Sequence, residues 1–120
     1  MFSTLVLEYV PDNDDPFLLA HHFTWWSSAL PEGSHTVRKG RSTDLASIPW
    51  GMRNVCDRLG PSVRAAIVHD DLYRRRMFTR KMCDQLFYFA LLECGVPEWK
   101  AKGYYYGVRV GGSFAIGDNW

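Results

Sequence analysis

A chain of 120 residues with 47% apolar and 22% charged side chains has the composition of one globular domain, which excludes a disordered protein. A formal net charge of +1 argues against binding driven by overall electrostatics to nucleic acid, so no nucleic-acid partner is expected. The sequence predicts no transmembrane segment and no signal peptide, because it contains no membrane-length apolar run and no basic leader.

Three short strands are predicted in the N-terminal part of the chain. Alternating side chains predict a strand over residues 2–10, and an aromatic-rich segment predicts a second over residues 17–26. A third strand is expected at residues 35–39. Because the connections between them are short, these strands favour a small antiparallel sheet.

The loop at residues 40–51 is unusually rich in side-chain oxygens. Thr43, Asp44 and Ser47 lie close together in sequence and precede an Ile-Pro step. These side chains could cap a short helix, which is the structural interpretation. The functional alternative is a supporting loop that supplies oxygens next to His69 and Asp70.

A first helix is predicted over residues 64–74. His69 and Tyr73 share a face with small and apolar residues spaced three and four apart, so His69 should point inward. Asp70 lies about 100° further round the helix. An imidazole and a carboxylate on a half-buried face need partners, because burying them unpaired is costly.

A second helix is predicted over residues 80–95, with Thr79 as N-cap and Gly95 as the stop. Asp84 lies at the edge of its buried face, and a short link favours antiparallel packing on the first helix. We therefore expect Asp84 to meet His69. The basic residues at this link are interpreted as a solvated helix end: Arg74, Arg75, Arg76 and Arg80.

A contact between Asp84 and His69 would fix the imidazole tautomer and leave the other ring nitrogen free to take a proton from water. Asp70 would then be available as an oxygen ligand for a divalent cation. The structural alternative is a satisfied core histidine, a surface Asp70 and a hydrogen-bond acceptor at Asp84, because structural networks also collect buried polar groups.

A third helix is predicted from Pro97 towards Val110, with Gly111-Gly112 as its end. The expected organisation is a single domain over residues 1–120. It comprises a β-rich part with the site loop at residues 1–50, a helical part at residues 51–112 and a tail at residues 113–120. The fold class is therefore α+β, with about three packed helices after the sheet.

Four segments together resemble the uncharacterised DUF1353 family of phage and prophage proteins. They are residues 43–49 (TDLASIP), 66–74 (AIVHDDLYR), 84–87 (DQLF) and 105–112 (YYGVRVGG). The resemblance implies a phage or prophage origin and no established activity.

The pattern His69-Asp70-x-x-Tyr73 followed by Asp84 on the next helix is also similar to the phospholipase A2 fold. This weaker resemblance implies a phospholipase A2-like helical core, with His69 as general base and Tyr73 as a supporting hydroxyl. It also implies that Asp70 binds Ca²⁺ and that Asp84 orients the imidazole. The chain lacks the Gly- and Cys-rich calcium loop and the disulfides of that fold, and the segment from Thr43-Asp44 to Ser47 would take the place of the loop.

Two main functions are predicted. The first is a small hydrolase, with or without the assistance of a metal ion, that cleaves an ester-type bond. It would act during lysis, entry or tail-associated penetration of the membrane or wall. The second is a non-enzymatic virion, tail or assembly protein, which would contact other phage proteins or further copies of itself. The expected location is the host cytoplasm or the virion. An HD-type metal phosphohydrolase is a third interpretation of His69-Asp70, but such sites need another upstream histidine and His35 lies in a turn-rich region.

Overall fold

The computed structural model describes residues 1–12, 17–43 and 62–116. Strands come first and helices follow, which confirms the α+β class. The chain divides into two compact units, Met1–Leu45 and Ala46–Trp120. The described elements are β1 (Leu7–Tyr9), β2 (Phe17–Leu19), β3 (Phe23–Trp26), β4 (Ser34–Val37), β5 (Ser42–Thr43), α1 (Val63–Arg75), α2 (Arg80–Glu93) and α3 (Glu98–Ile116).

The N-terminal unit contains two small antiparallel sheets rather than one. A three-stranded sheet has the order β1-β2-β5, and a two-stranded sheet pairs β3 with β4. In the second sheet Phe23 and Trp25 are buried opposite Val37 and His35, whereas the intervening side chains face outward. This alternation is typical of a strand pair with one face on a core.

The strand bounds differ from the sequence prediction, and β4 ends at Val37 rather than at residue 39. Residues 2–10 form a strand only at β1, and β5 lies in the segment predicted to be a loop. Residues 17–26 are two strands in different sheets, separated at residues 20–22. The continuous apolar run at residues 17–20 lacks an alternating pattern, so the sequence does not indicate where the first strand ends and the next one begins.

The C-terminal unit is built on α1, α2 and α3, each packed on the next. Tyr73 of α1 contacts Asp84 of α2. His69, which is one turn earlier in α1, contacts Phe87, which is nearly one turn later in α2. The first two helices therefore run in opposite directions, as predicted. The same progression relates α2 to α3 in the contacts Asp84–Arg109 and Phe87–Tyr104.

The predicted ends of α2 are confirmed, and the predicted end of α3 is wrong. Thr79 has extended backbone and its hydroxyl accepts a hydrogen bond from the Met82 N–H at 3.2 Å, whereas Gly95 has a φ of 89°. The third helix continues through Gly111-Gly112 to Ile116. Glycine in a helix interior costs only about 1 kcal/mol, which does not end a helix of this length. None of the helices in the described ranges is long and apolar enough to cross a membrane.

We expect Thr79→Ala to lower the free energy of unfolding by about 1 kcal/mol, because the Met82 N–H loses its partner at the start of α2. Urea unfolding followed by circular dichroism measures the change. Thr79→Ser keeps the hydroxyl and is the matched control, so equal losses in both variants would contradict the capping role.

Candidate active site

The site is organised around Asp84, which lies in the second turn of α2 and is fully buried. It follows Cys83 and precedes Phe87 on the face that α2 turns to the interior. A buried carboxylate without partners costs several kcal/mol. Its contacts therefore show how the chain satisfies that charge.

Two side chains of α1 donate hydrogen bonds to Oδ1 of Asp84. The Nε2 atom of His69 lies 2.8 Å from this oxygen, and the Tyr73 hydroxyl donates to the same atom. Because the two residues are four apart, they lie on one helix face and reach a common acceptor. The predicted contact between His69 and Asp84 is confirmed.

Two guanidinium groups lie on the other side of the carboxylate. The Nη1 atom of Arg109 in α3 donates to Oδ2 of Asp84 at 3.0 Å, and Nη1 of Arg80 lies 3.7 Å from the same oxygen. Arg80 also donates to the backbone carbonyl of Arg109 at 3.1 Å. The carboxylate of Asp84 thus accepts hydrogen bonds from side chains of α1 and α3 and forms an ion pair with Arg80 of α2.

These contacts keep Asp84 charged and Tyr73 neutral. Burial by itself raises the pKa of Asp84, but hydrogen bonds from His69, Tyr73 and Arg109 outweigh it and hold the pKa below its ordinary value. Burial also raises the pKa of Tyr73, and the adjacent carboxylate raises it further. Tyr73 is therefore a phenol that donates its proton to Asp84 at neutral pH.

The contact with Asp84 determines which nitrogen of His69 carries the proton. A carboxylate only accepts hydrogen bonds, so Nε2 is the protonated nitrogen and neutral His69 has its lone pair on Nδ1. Within the described residues, no hydrogen bond is made to Nδ1. The imidazole contacts the rings of Tyr73 and Phe87, with centroids 4.2 and 4.5 Å away, and its side chain is 13% exposed. The ring is therefore oriented through Nε2, and Nδ1 is the nitrogen left to accept a proton.

The predicted metal ligands are placed differently from the predicted catalytic residues. The side chain of Asp70 is 24% exposed, and its Oδ2 lies 3.3 Å from Nε of Arg74. Thr43 lies in β5, where its backbone pairs with Phe17, whereas Asp44 and Ser47 lie outside the described residues. Within the described ranges, no three His, Cys, Asp or Glu side chains are grouped as metal ligands. Binding of Ca²⁺ at Asp70 and Asp44 stays a prediction.

Sequence reasoning missed the two arginines of the site. The interpretation of Arg80 as part of a solvated helix end is wrong, because its side chain is only 2% exposed. Its spacing of four from Asp84 on one helix was the available signal. Arg109 lies 25 residues beyond Asp84, and only the packing of α3 on α2 brings them together.

The fold and site define an α+β protein with a buried carboxylate that orients a histidine. The family described as "Protein of unknown function (DUF1353)" matches residues 22–108, well over half of the chain. The chain belongs to this family, as the sequence motifs predicted. No curated protein and no solved structure matches it.

We expect Asp84→Asn to lower the free energy of unfolding at neutral pH by about 3–5 kcal/mol, because it removes the buried negative charge that the Arg80 and Arg109 guanidinium groups contact. The folded-state pKa of Asp84 is lowered, so its charge stabilises the fold above the ordinary pKa of about 3.9. That stabilisation is lost as pH falls through the lowered value. Urea unfolding at a series of pH values should therefore show a weaker acid dependence in the variant.

The matched control is Asp70→Asn, which removes a half-exposed ion pair of the adjacent helix. We expect this change to cost less than about 1 kcal/mol. Similar losses from both substitutions, or an unchanged acid dependence in Asp84→Asn, would contradict the central role of Asp84.

Proposed function

We propose that this protein is a small hydrolase of phage or prophage origin that cleaves an ester-type bond with His69 as general base. The observation that supports it is the 2.8 Å contact between Nε2 of His69 and Oδ1 of Asp84. This contact makes Nδ1 the proton acceptor, and a half-buried imidazole with a fixed tautomer is suited to general base catalysis.

In this mechanism a water molecule donates a hydrogen bond to Nδ1 of His69. The imidazole takes the proton as the water oxygen attacks the ester carbonyl carbon. The resulting imidazolium is stabilised by the negative charge of Asp84, which Tyr73 holds in place through its hydroxyl. When the tetrahedral intermediate collapses, the imidazolium returns the proton to the leaving alkoxide, and the products are an acid and an alcohol.

The resemblance to phospholipase A2 supports the same roles and adds a cation. Asp70 supplies carboxylate oxygens that are partly exposed, which suits a hard divalent ion. Asp44 is the proposed second ligand, and Thr43 and Ser47 are proposed to support it. A Ca²⁺ ion bound there would polarise the ester carbonyl.

The second candidate is a virion, tail or assembly protein with no catalytic activity. One observation favours it: the carboxylate of Asp84 joins side chains from α1, α2 and α3, which is what a purely structural polar core would do. In this role His69 would only stabilise the fold. The protein would act through other phage proteins or through copies of itself, in the virion or the host cytoplasm.

We expect His69→Gln to reduce kcat on a panel of chromogenic esters by about 10²–10⁴, because the amide cannot act as a base. The amide can still donate to Asp84, so the Tm should change by only a few degrees. Initial rates and thermal unfolding, measured on the same preparations, separate the two effects.

His21→Gln is the control, since His21 is exposed and belongs to the N-terminal unit. Its rates should equal those of the wild type. A wild type without activity on any ester, together with a large fall in Tm in His69→Gln, would favour the structural role.

We expect Ca²⁺ to raise the Tm of the wild type and to lose this effect in Asp70→Asn, because one ligand is removed. Glu98→Gln is the matched control, since Glu98 is an exposed carboxylate in an i,i+4 pair with Lys102. Thermal unfolding with calcium or with a chelator tests the prediction. An equal shift in all three proteins would indicate non-specific binding.

A further inference from the structure

Arg109 contacts the site with only part of its hydrogen-bonding capacity. Its Nη1 atom donates to Asp84, and no other side-chain hydrogen bond of Arg109 is made in the described part of the chain. The side chain is 27% exposed, compared with 2% for Arg80. The two arginines therefore differ in their access to solvent, although both face the same carboxylate.

The geometry of a guanidinium group shows what the remaining donors can bind. With Nη1 engaged by Asp84, the edge formed by Nε–H and Nη2–H is left available. Two parallel N–H donors on one edge match the two oxygens of a carboxylate or phosphate group. Arg109 is thus anchored at one nitrogen and retains a bidentate edge for an oxyanion.

The charges at Asp84 also leave Arg109 able to bind an anion. Arg80 and Arg109 both approach Oδ2, and one carboxylate carries a single negative charge. Arg109 therefore shares its counter-charge with a second guanidinium. An additional oxyanion beside Arg109 would be attracted by the charge of its partly exposed guanidinium group.

Arg109 and His69 contact the same carboxyl group. The two side chains are bonded to the two oxygens of one carboxyl group. Because those oxygens share a carbon, the imidazole and the guanidinium are neighbours on either side of Asp84. Because Nδ1 lies on the side of the ring away from Asp84, a substrate that contacts both residues spans this carboxyl group, with its anionic group at Arg109 and its ester at Nδ1.

We infer that Arg109 binds an oxyanion, a phosphate or a carboxylate, of the same substrate whose ester bond His69 hydrolyses. The inference rests on the proposed hydrolase function and specifies its substrate class as an ester that carries a negative charge. Arg109 is a binding residue in this scheme, and Arg80 keeps Asp84 compensated while Arg109 contacts the ligand.

The test is isothermal titration of the full chain with inorganic phosphate and, separately, with acetate. We expect wild-type protein to bind at least one of them, and Arg109→Lys to bind it about tenfold more weakly, because an ammonium group lacks the bidentate edge. Lysine keeps a cation for Asp84, and circular dichroism of each variant establishes that it is folded. Should lysine fail to support folding, Arg109→Gln is the second variant.

Arg64→Gln is the matched control, since Arg64 is an exposed arginine of α1. Its affinity for the anion should equal that of the wild type. Binding of phosphate that depends on Arg109 assigns a phosphorylated substrate, and binding of acetate assigns a carboxylated one. No binding of either anion, or equal weakening in the Arg64 and Arg109 variants, would overturn the inference.

Ester hydrolysis is measured in parallel, so that the two proposals fail separately. If anion binding depends on Arg109 but no ester is hydrolysed, the anion-binding site is supported and the hydrolase function is contradicted. The opposite result is hydrolysis that depends on His69 while Arg109→Lys leaves the KM unchanged for both anionic and neutral esters. This result would support the hydrolase function and overturn the role of Arg109.

Discussion

The helical unit depends on the cost of burying one carboxylate. Asp84 is fully inaccessible to solvent, and such a charge is tolerated only where donors surround it. Since no single helix could supply donors on both sides of the group, α1 contributes two and α3 contributes one, whereas Arg80 approaches from one turn earlier in α2. The antiparallel packing of the three helices and the chemistry at their centre are thus consequences of the same requirement.

The same requirement links folding to reactivity at the histidine. Because Asp84 must accept a hydrogen bond from Nε2, the neutral tautomer of His69 is determined before any ligand arrives. The aromatic contacts with Tyr73 and Phe87 then restrict the rotation of the ring. Preorganisation of this kind lowers the cost of a proton transfer, since the base does not have to be oriented during the reaction. A structural network and a catalytic network at this site would share all of these contacts, and they would differ only in whether Nδ1 takes a proton from a substrate water.

The sequence predicts the helical part better than the strands, because helices depend on interactions between residues that are close in the sequence and strand pairing does not. Helix faces and caps depend on neighbours three or four positions away, so His69, Tyr73, Thr79 and Asp84 could be placed from local spacing. The strand pairings depend on distant partners, and the apolar run around Leu19 carries no alternation that would divide β2 from β3. Arg109 was missed because its role arises from tertiary packing.

The difference in exposure between the two arginines suggests how binding and stability coexist at this site. If Arg109 were the sole counter-charge of Asp84, any ligand that drew it away would leave a buried carboxylate uncompensated, at a cost of several kcal/mol. The Nη1 atom of Arg80 lies 3.7 Å from the same oxygen and remains inaccessible to solvent. A small movement of Arg109 towards a ligand would therefore leave Asp84 with the Arg80 cation and the hydrogen bonds from His69 and Tyr73. In the proposed scheme, the second, buried arginine would permit the first to contact a ligand.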